Sequence, residues 1–282
     1  MGNKTQFNIM KLFGIFISSF FVTGILNAST LNVGLIGHYK FEGNVNDINS
    51  SGNNLQLNGS TQFISSGHHG GQALRTNGDR SVWYNGGGYL TPGFLINNSS
   101  ISAASFNFWT RNEASGGPFS PSHTEESYIE IGFGDLPPHI KLSTRALSGS
   151  GEIGVGHQLM NGVWQGSVSP TVNWADWKMV TLTISSTEYA AYLNGVEFDR
   201  RALDGALFPS PNIRFGSHTW NPGSGSSARM DVEWDDMRIY DRTLSSAEVT
   251  QIYALESVPE PSALSLFAVG LGGLAMLRRR RS

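Results

Sequence analysis

The chain has 282 residues, 34 of them glycine, with only 15% charged residues and no cysteine. That is enough for one sizeable domain; it favours a turn-rich β protein over a helical one and excludes disulfides and thiol nucleophiles. The net charge is −3, but residues 29–257 hold 13 basic against 21 acidic residues, a balance of −8 that excludes a nucleic-acid partner, which needs a basic footprint.

Residues 1–28 read as a secretory signal. Lys4 and Lys11 form its positive region, and 12–26 is an apolar run too short for a comfortable membrane span. Cleavage is expected after Ala28. Residues 35–43 predict the first strand. The Asn/Ser/Gly loop over 47–59 is interrupted by Leu55 and Leu57, a short strand. Residues 70–74 with 81–84 and Tyr89 predict a further strand pair. Gly86-Gly87-Gly88 is a turn and not a phosphate loop, because no helix pattern follows it. In 101–111, Phe106, Phe108 and Thr110 share one face. A polar loop follows over 112–126, then short strands over 128–133, 140–144 and 152–158. Several strands at this spacing predict a sandwich.

The clearest pattern is residues 177–199. Val180, Leu182 and Ile184 alternate with Met179, Thr181 and Thr183, so one face is expected in the core and the other outside it. Residues 189–193 read as the return strand. Asn194-Gly195 suits the positive φ values of a tight hairpin turn, and Val196 to Phe198 leaves it as a third strand. Residues 213–218 and 230–240 predict two more strands, with a Gly/Ser loop over 222–228. Ser245-x-x-Glu248 is a capping box, so a helix is expected over 246–254.

The tryptophan, alternating apolar residues and "Y-L-N-G-V" of this meander resemble the laminin-G-like, concanavalin A-type jelly rolls. The run from Gly37 to Asn44 with Asp47, and Trp234 to Ser245 with Glu248, resemble that family's opening and closing strands. The resemblance implies an all-β fold over residues 29–257: a two-sheet antiparallel jelly-roll sandwich with a short C-terminal helix. The remainder, 258–282, is a separate module. Val258-Pro259-Glu260-Pro261 cannot continue a helix or sheet. Residues 263–277 are apolar, and Arg278, Arg279, Arg280 and Arg281 end the run. This order closely resembles the PEP-CTERM sorting signal of exopolysaccharide-making Gram-negative bacteria. The resemblance implies a membrane-spanning tail in the inner membrane, processing by an exosortase near the Pro-Glu-Pro motif, and delivery to the cell surface or matrix. The arginines favour a cytoplasmic C-terminus. An ordinary tail anchor is the alternative.

Asp231, Glu233 and Asp235 alternate on one strand, which brings to mind the acidic strand of jelly-roll glucanases. The order Asp-Glu-Asp departs from the Glu-Asp-Glu of those enzymes, and an acidic face paired with nearby arginines is the competing reading. In related jelly rolls a calcium ion sits where the first and last strands run side by side, so Glu42, Asp235 and Asp236 are the metal candidates; hard oxygen ligands without cysteine fit Ca²⁺ and not zinc. On an unbroken strand Asp235 and Asp236 point to opposite faces, and salt bridges to Arg238 or Arg242 are the alternative. The seven histidines are scattered, with His68-His69 the only adjacent pair. Trp83, Tyr84, Trp164, Trp174 and Trp220 lie near Gly- or Asn-rich turns, where exposed aromatic faces hold sugars in lectin-type sandwiches; core filling is the competing role. The expected function is an exported, surface-sorted protein without enzymatic activity, binding or structural in the polysaccharide matrix. A glycoside hydrolase or polysaccharide lyase of the same fold, or a protein-adhesion module, are the alternatives.

Overall fold

The computed structural model describes residues 31–49, 52–59, 61–76, 89–92, 102–111, 125–133, 136–145, 154–158, 164–204, 213–221, 226–229 and 232–257. Seventeen strands and one helix occur among them. In chain order the strands are β1 (Leu35–Tyr39), β2 (Leu55–Asn58), β3 (Thr61–Ile64), β4 (Ala73–Thr76), β5 (Tyr89–Pro92), β6 (Ala104–Arg111), β7 (Glu125–Phe133), β8 (Leu136–Arg145) and β9 (Gly154–Gln158). They continue as β10 (Trp164–Val168), β11 (Lys178–Ile184), β12 (Glu188–Leu193), β13 (Val196–Ala202), β14 (Ile213–Phe215), β15 (Ser217–Asn221), β16 (Ser226–Arg229) and β17 (Val232–Tyr240). The helix is α1 (Ser246–Glu256).

Two antiparallel sheets make the sandwich. One runs β13-β12-β11-β6-β17-β4-β3, with β1 also paired to β17. The other runs β10-β9-β8-β7-β14-β5-β2, and β15-β16 form a separate ribbon. Val180, Leu182 and Ile184 of β11 share one core with Phe106 and Phe108 of β6, Ile129 and Ile131 of β7, and Phe215 of β14. The Phe106 and Phe215 rings meet across the sheets with centroids 5.7 Å apart. Alternation on β11 therefore places its inner face as expected, and Asn194 (φ 51°) and Gly195 (φ 77°) make the expected tight turn.

The other face of β11 is not exposed. Met179, Thr181 and Thr183 are buried too. Met179, with Ala190, Tyr192 and Trp109, forms a second apolar cluster under Val249 and Ile252 of α1. The capping box sets this helix: Ser245 Oγ accepts the Glu248 N–H at 3.3 Å, and Ser245 N–H donates to Glu248 Oε2 at 2.8 Å. Arg242 adds bonds of 2.7 and 3.0 Å to the same carboxylate. The helix runs two residues beyond the expected 246–254 because packing continues to Glu256.

Other expectations are corrected. β1 ends at Tyr39, four residues early, where Phe41 takes a φ of 54°. β4 pairs with β3 and β17, whereas Tyr89 starts β5 in the opposite sheet; residues 81–84 lie outside the described residues. The strand expected over 213–218 breaks at Gly216 (φ 77°) into β14 and β15. The loop expected over 222–228 contains the start of β16. Among the described residues no helix is long and apolar enough to cross a membrane; the signal (1–28) and the tail (258–282) lie outside them.

Leu182 is fully buried between Phe106 and Ala191, its register partners on β6 and β12. Leu182→Ala is expected to cost about 2–5 kcal/mol in chemical denaturation, the range for a core leucine. An unchanged denaturation midpoint would place the side chain outside the core.

Candidate functional site

The carboxylates singled out on the last strand meet at a bulge. From Asp235 to Arg238, β17 spends three steps where its partner β6 spends two, from Trp109 to Asn107. The extra residue shifts the alternation: Val232 and Trp234 face the main core before it, and Met237 and Ile239 after it. Asp235 and Asp236 consequently lie on the same outer face, not on opposite ones. Asp236 absorbs the distortion with a φ of 44°, a conformation that Asp tolerates better than most residues. The bulge falls where β17 changes partners on its other edge, from β4 (up to Trp234) to β1 (from Met237).

Asp236 is 2% exposed and surrounded by cationic and donor groups. His38 Nε2 lies 2.5 Å from its Oδ1, Arg238 Nη2 lies 3.5 Å away, and Lys40 Nζ is 3.6 Å from Oδ2. Burial opposes its charge, but the His38 hydrogen bond and the positive charges of Arg238 and Lys40 outweigh that and hold its carboxyl well below the usual range. Burial likewise pushes His38 down, so a neutral imidazole donates Nε2–H to an ionised Asp236.

Asp235 differs. Its Oδ2 accepts the His68 N–H at 2.6 Å and its Oδ1 the Asp236 N–H at 2.8 Å, but no cation among the described residues touches it. Burial pushes its carboxyl up to about 7, against the pull of those two amides and with help from the charges of Asp236 and Glu42. Asp235 Oδ2 and the carbonyl oxygens of Gly70 and Gln72 converge: all three lie 2.7–3.1 Å from where a Cβ on Gly67 would stand. Glu42 faces Gly71 in the same turn and accepts the Gln72 N–H at 2.9 Å.

Of the three carboxylates on the acidic strand, Glu233 and Asp235 are buried and do not face water. Glu233 is 3% exposed and bound by Arg111 at 2.5 Å. Arg111 also donates to Ser66 Oγ at 2.6 Å and lies 4.7 Å over the Trp177 ring. Asp231 lies outside the described residues. Arg238 does pair with Asp236, whereas Arg242 serves Glu248. Among the described residues no three of His, Asp and Glu form a group that could hold a metal ion by side chains alone.

Sequence reasoning missed His68. Its ring stacks on Trp109 at 3.5 Å and its Nε2 lies 3.1 Å from the Glu256 carbonyl oxygen. Burial and the neighbouring His69 lower its pKa to about 4. The only signal was two histidines flanked by glycines, and its partners are 41 and 188 residues away. Trp164 opens β10 and Trp220 lies in β15. Trp83, Tyr84 and the sorting residues Pro259, Glu260, Pro261 and Arg278 to Arg281 lie outside the described residues. Trp174 is a core residue, 1% exposed.

The pH dependence follows from these shifts. Asp235, raised above its unfolded value, contributes stability that is full below about 4 and lost as pH rises through about 7. His38 and His68 are lowered, so their contribution is present above about 6.5 and lost on acidification. Between pH 7 and 5 the two effects oppose each other. Asp235→Asn removes one side, so its urea midpoint should fall more steeply than the wild type's from pH 7 to 5. Parallel curves would show that Asp235 is ionised throughout.

A family described as the concanavalin A-like lectin/glucanases superfamily matches residues 85–250, and the PEP-CTERM protein-sorting motif matches 257–281. That motif implies recognition by an exosortase, export, and sorting to the cell surface or extracellular space. No curated protein matches the sequence. Among solved structures, the binding domain of Paraclostridial Mosquitocidal Protein 1 is similar at 18% identity and TM-score 0.54, over 79% of this chain and 52% of that one. The botulinum neurotoxin serotype G binding domain matches at 18% identity and TM-score 0.55, over 79% and 51%. The binding domain of botulinum neurotoxin DC, in complex with SialylT, matches at 14% and 0.55, over 80% and 52%. The chain thus spans about half the length of these neighbours, and the likeness is one of fold.

Proposed function

Since the chain belongs to the concanavalin A-like lectin/glucanases superfamily and carries a PEP-CTERM sorting motif, we propose that it is an exported surface protein that binds extracellular polysaccharide and performs no catalysis. The disarmed acidic strand carries this reading. A glycosidase needs two carboxyl groups facing a sugar, one to donate a proton and one to attack or activate water. Here Glu233 is held by Arg111 and Asp235 is capped by two backbone amides. The neighbours in fold are named as binding domains, one of them in complex with SialylT, which supports binding over turnover. The sugar-contact candidates are Trp83, Tyr84, Trp164 and Trp220, whose ring faces would stack on pyranose C–H faces.

A glycan array and a polysaccharide pull-down with the mature protein test this. Retention of one polysaccharide class is expected, weakened roughly tenfold by Trp164→Ala or Trp220→Ala. Release of reducing ends or unsaturated sugars would instead make the protein a hydrolase or lyase, and capture of protein ligands alone an adhesion module.

The oxygen set at Asp235 suits a calcium ion better than the three-carboxylate set does. Asp236 is committed to His38, Lys40 and Arg238. Glu42, Asp235 and the carbonyls of Gly70 and Gln72 offer hard oxygens without a competing cation among the described residues. Bound there, Ca²⁺ would neutralise the buried Asp235 and tie the 65–72 turn to β17. Millimolar Ca²⁺ is then expected to raise the Tm of metal-stripped protein by several degrees, and not that of Asp235→Asn. An unchanged wild-type Tm removes calcium from the site.

A further inference from the structure

The last turn of α1 ends on a residue that helix energetics disfavour. Glu256 places negative charge at the negative end of the helix dipole, and no basic residue lies in that turn. It is also buried, 8% exposed. A carboxylate persists in such a place only where the surrounding fold holds it. Trp109 of β6 donates Nε1–H to its Oε2 at 2.7 Å, and Arg238 of β17 meets its Oε1. His68 Nε2 lies 3.1 Å from its carbonyl oxygen. Arg238 reaches on to Asp236, which His38 of β1 holds. The turn is therefore tied to β6, to β17, to the 65–72 turn and, through Asp236, to β1. Polysaccharide binding makes no use of this clamp.

Pro259-Glu260-Pro261 begins three residues past Glu256, so no more than about 10 Å of extended chain separates the two. A protease holds its substrate extended on both sides of the cut. Helical residues inside that grip must first unwind, and the rate then follows the population of the open form. Leu255, Glu256 and Ser257 are the residues just upstream of the motif. Leu255 and Glu256 are helical, and Ser257 closes the helix by donating its N–H to the Tyr253 carbonyl at 2.8 Å.

We propose that the Glu256 clamp sets the rate of tail removal: the sorting protease cuts only when the last turn of α1 releases from Arg238, Trp109 and His68. This rests on the reading that the tail is cut near Pro-Glu-Pro. The cut breaks one peptide bond; the acyl group passes to water or to a nucleophile of the enzyme, and the membrane fragment leaves as its amine. Because the clamp joins residues 38, 68, 109, 236 and 256, it closes only on a completed sheet. A chain with an unfinished fold is thus cut early and a finished one is held longer at the membrane.

The test is a pulse-chase of four full-length chains expressed with an exosortase: wild type, Glu256→Gln, a ten-residue Gly/Ser insertion between Ser257 and Val258, and the two combined. Glu256→Gln keeps an acceptor for Trp109 but loses the charge that meets Arg238. The insertion leaves the fold untouched and supplies extended chain to the protease. Both single changes are expected to speed loss of the tail, Glu256→Gln roughly tenfold. The combined chain should be cut no faster than the insertion alone, since unwinding no longer limits it. Equal rates in all four, or Glu256→Gln still adding its effect on top of the insertion, overturns the clamp. A tail retained by all four chains overturns the sorting reading, and the clamp falls with it.

Discussion

One extra residue in β17 organises the outer face of the larger sheet. Without the bulge at Asp235–Asp236, Met237 and Ile239 would turn away from the main core and Arg238 would turn into it. With it, both halves of β17 keep their apolar residues inward, and two neighbouring carboxylates emerge on the same side. The bulge also lies at the gap where β4 gives way to β1 on one edge of β17, so no ladder is broken there that a partner strand would have completed.

Two carboxylates side by side in a buried place impose the rest of the arrangement. Asp236 is matched by His38 of β1, by Lys40 just past the end of that strand, and by Arg238 two residues along β17 itself. Arg238 in turn needs more negative charge than Asp236 alone supplies and takes it from Glu256 at the far end of α1. Among the described residues Asp235 obtains only amide donors, and burial without a cation pushes its carboxyl up to about 7. The cluster thus joins the end of β1, the middle of β17, the end of α1 and the 65–72 turn. Removing one partner of such a set strands another buried charge, which explains why it holds the elements in one register.

The same covering has a consequence for binding. α1 and the 65–72 turn occupy the outer face of the eight-stranded sheet, over Trp109, Met179 and Tyr192. The seven-stranded sheet and the ribbon beside it carry Trp164 and Trp220.

The sequence by itself determined what depends on neighbours in the chain. The alternation of Val180, Leu182 and Ile184, the Asn194-Gly195 turn, the Ser245–Glu248 capping box and the order of motifs that places the chain in its family are all local, because side-chain period, positive φ and capping bonds act over a few residues. The sorting tail was legible for the same reason. Only the tertiary structure decided what rests on distant partners. Met179 looks solvent-facing until Val249 and Ile252 of α1, about 70 residues on, are laid over it. Asp235 and Asp236 share a face because β6 and the β1–β4 gap admit a bulge; the phase break from Val232 and Trp234 to Met237 and Ile239 is written in β17, but only the pairing with its partner strands shows that a bulge resolves it. His68 and Glu256 are unremarkable polar residues in sequence, and the second is even misplaced on its helix. Their roles come from Trp109 and Arg238, brought to them by sheet pairing, and a buried charge can be explained only once the groups that neutralise it are known.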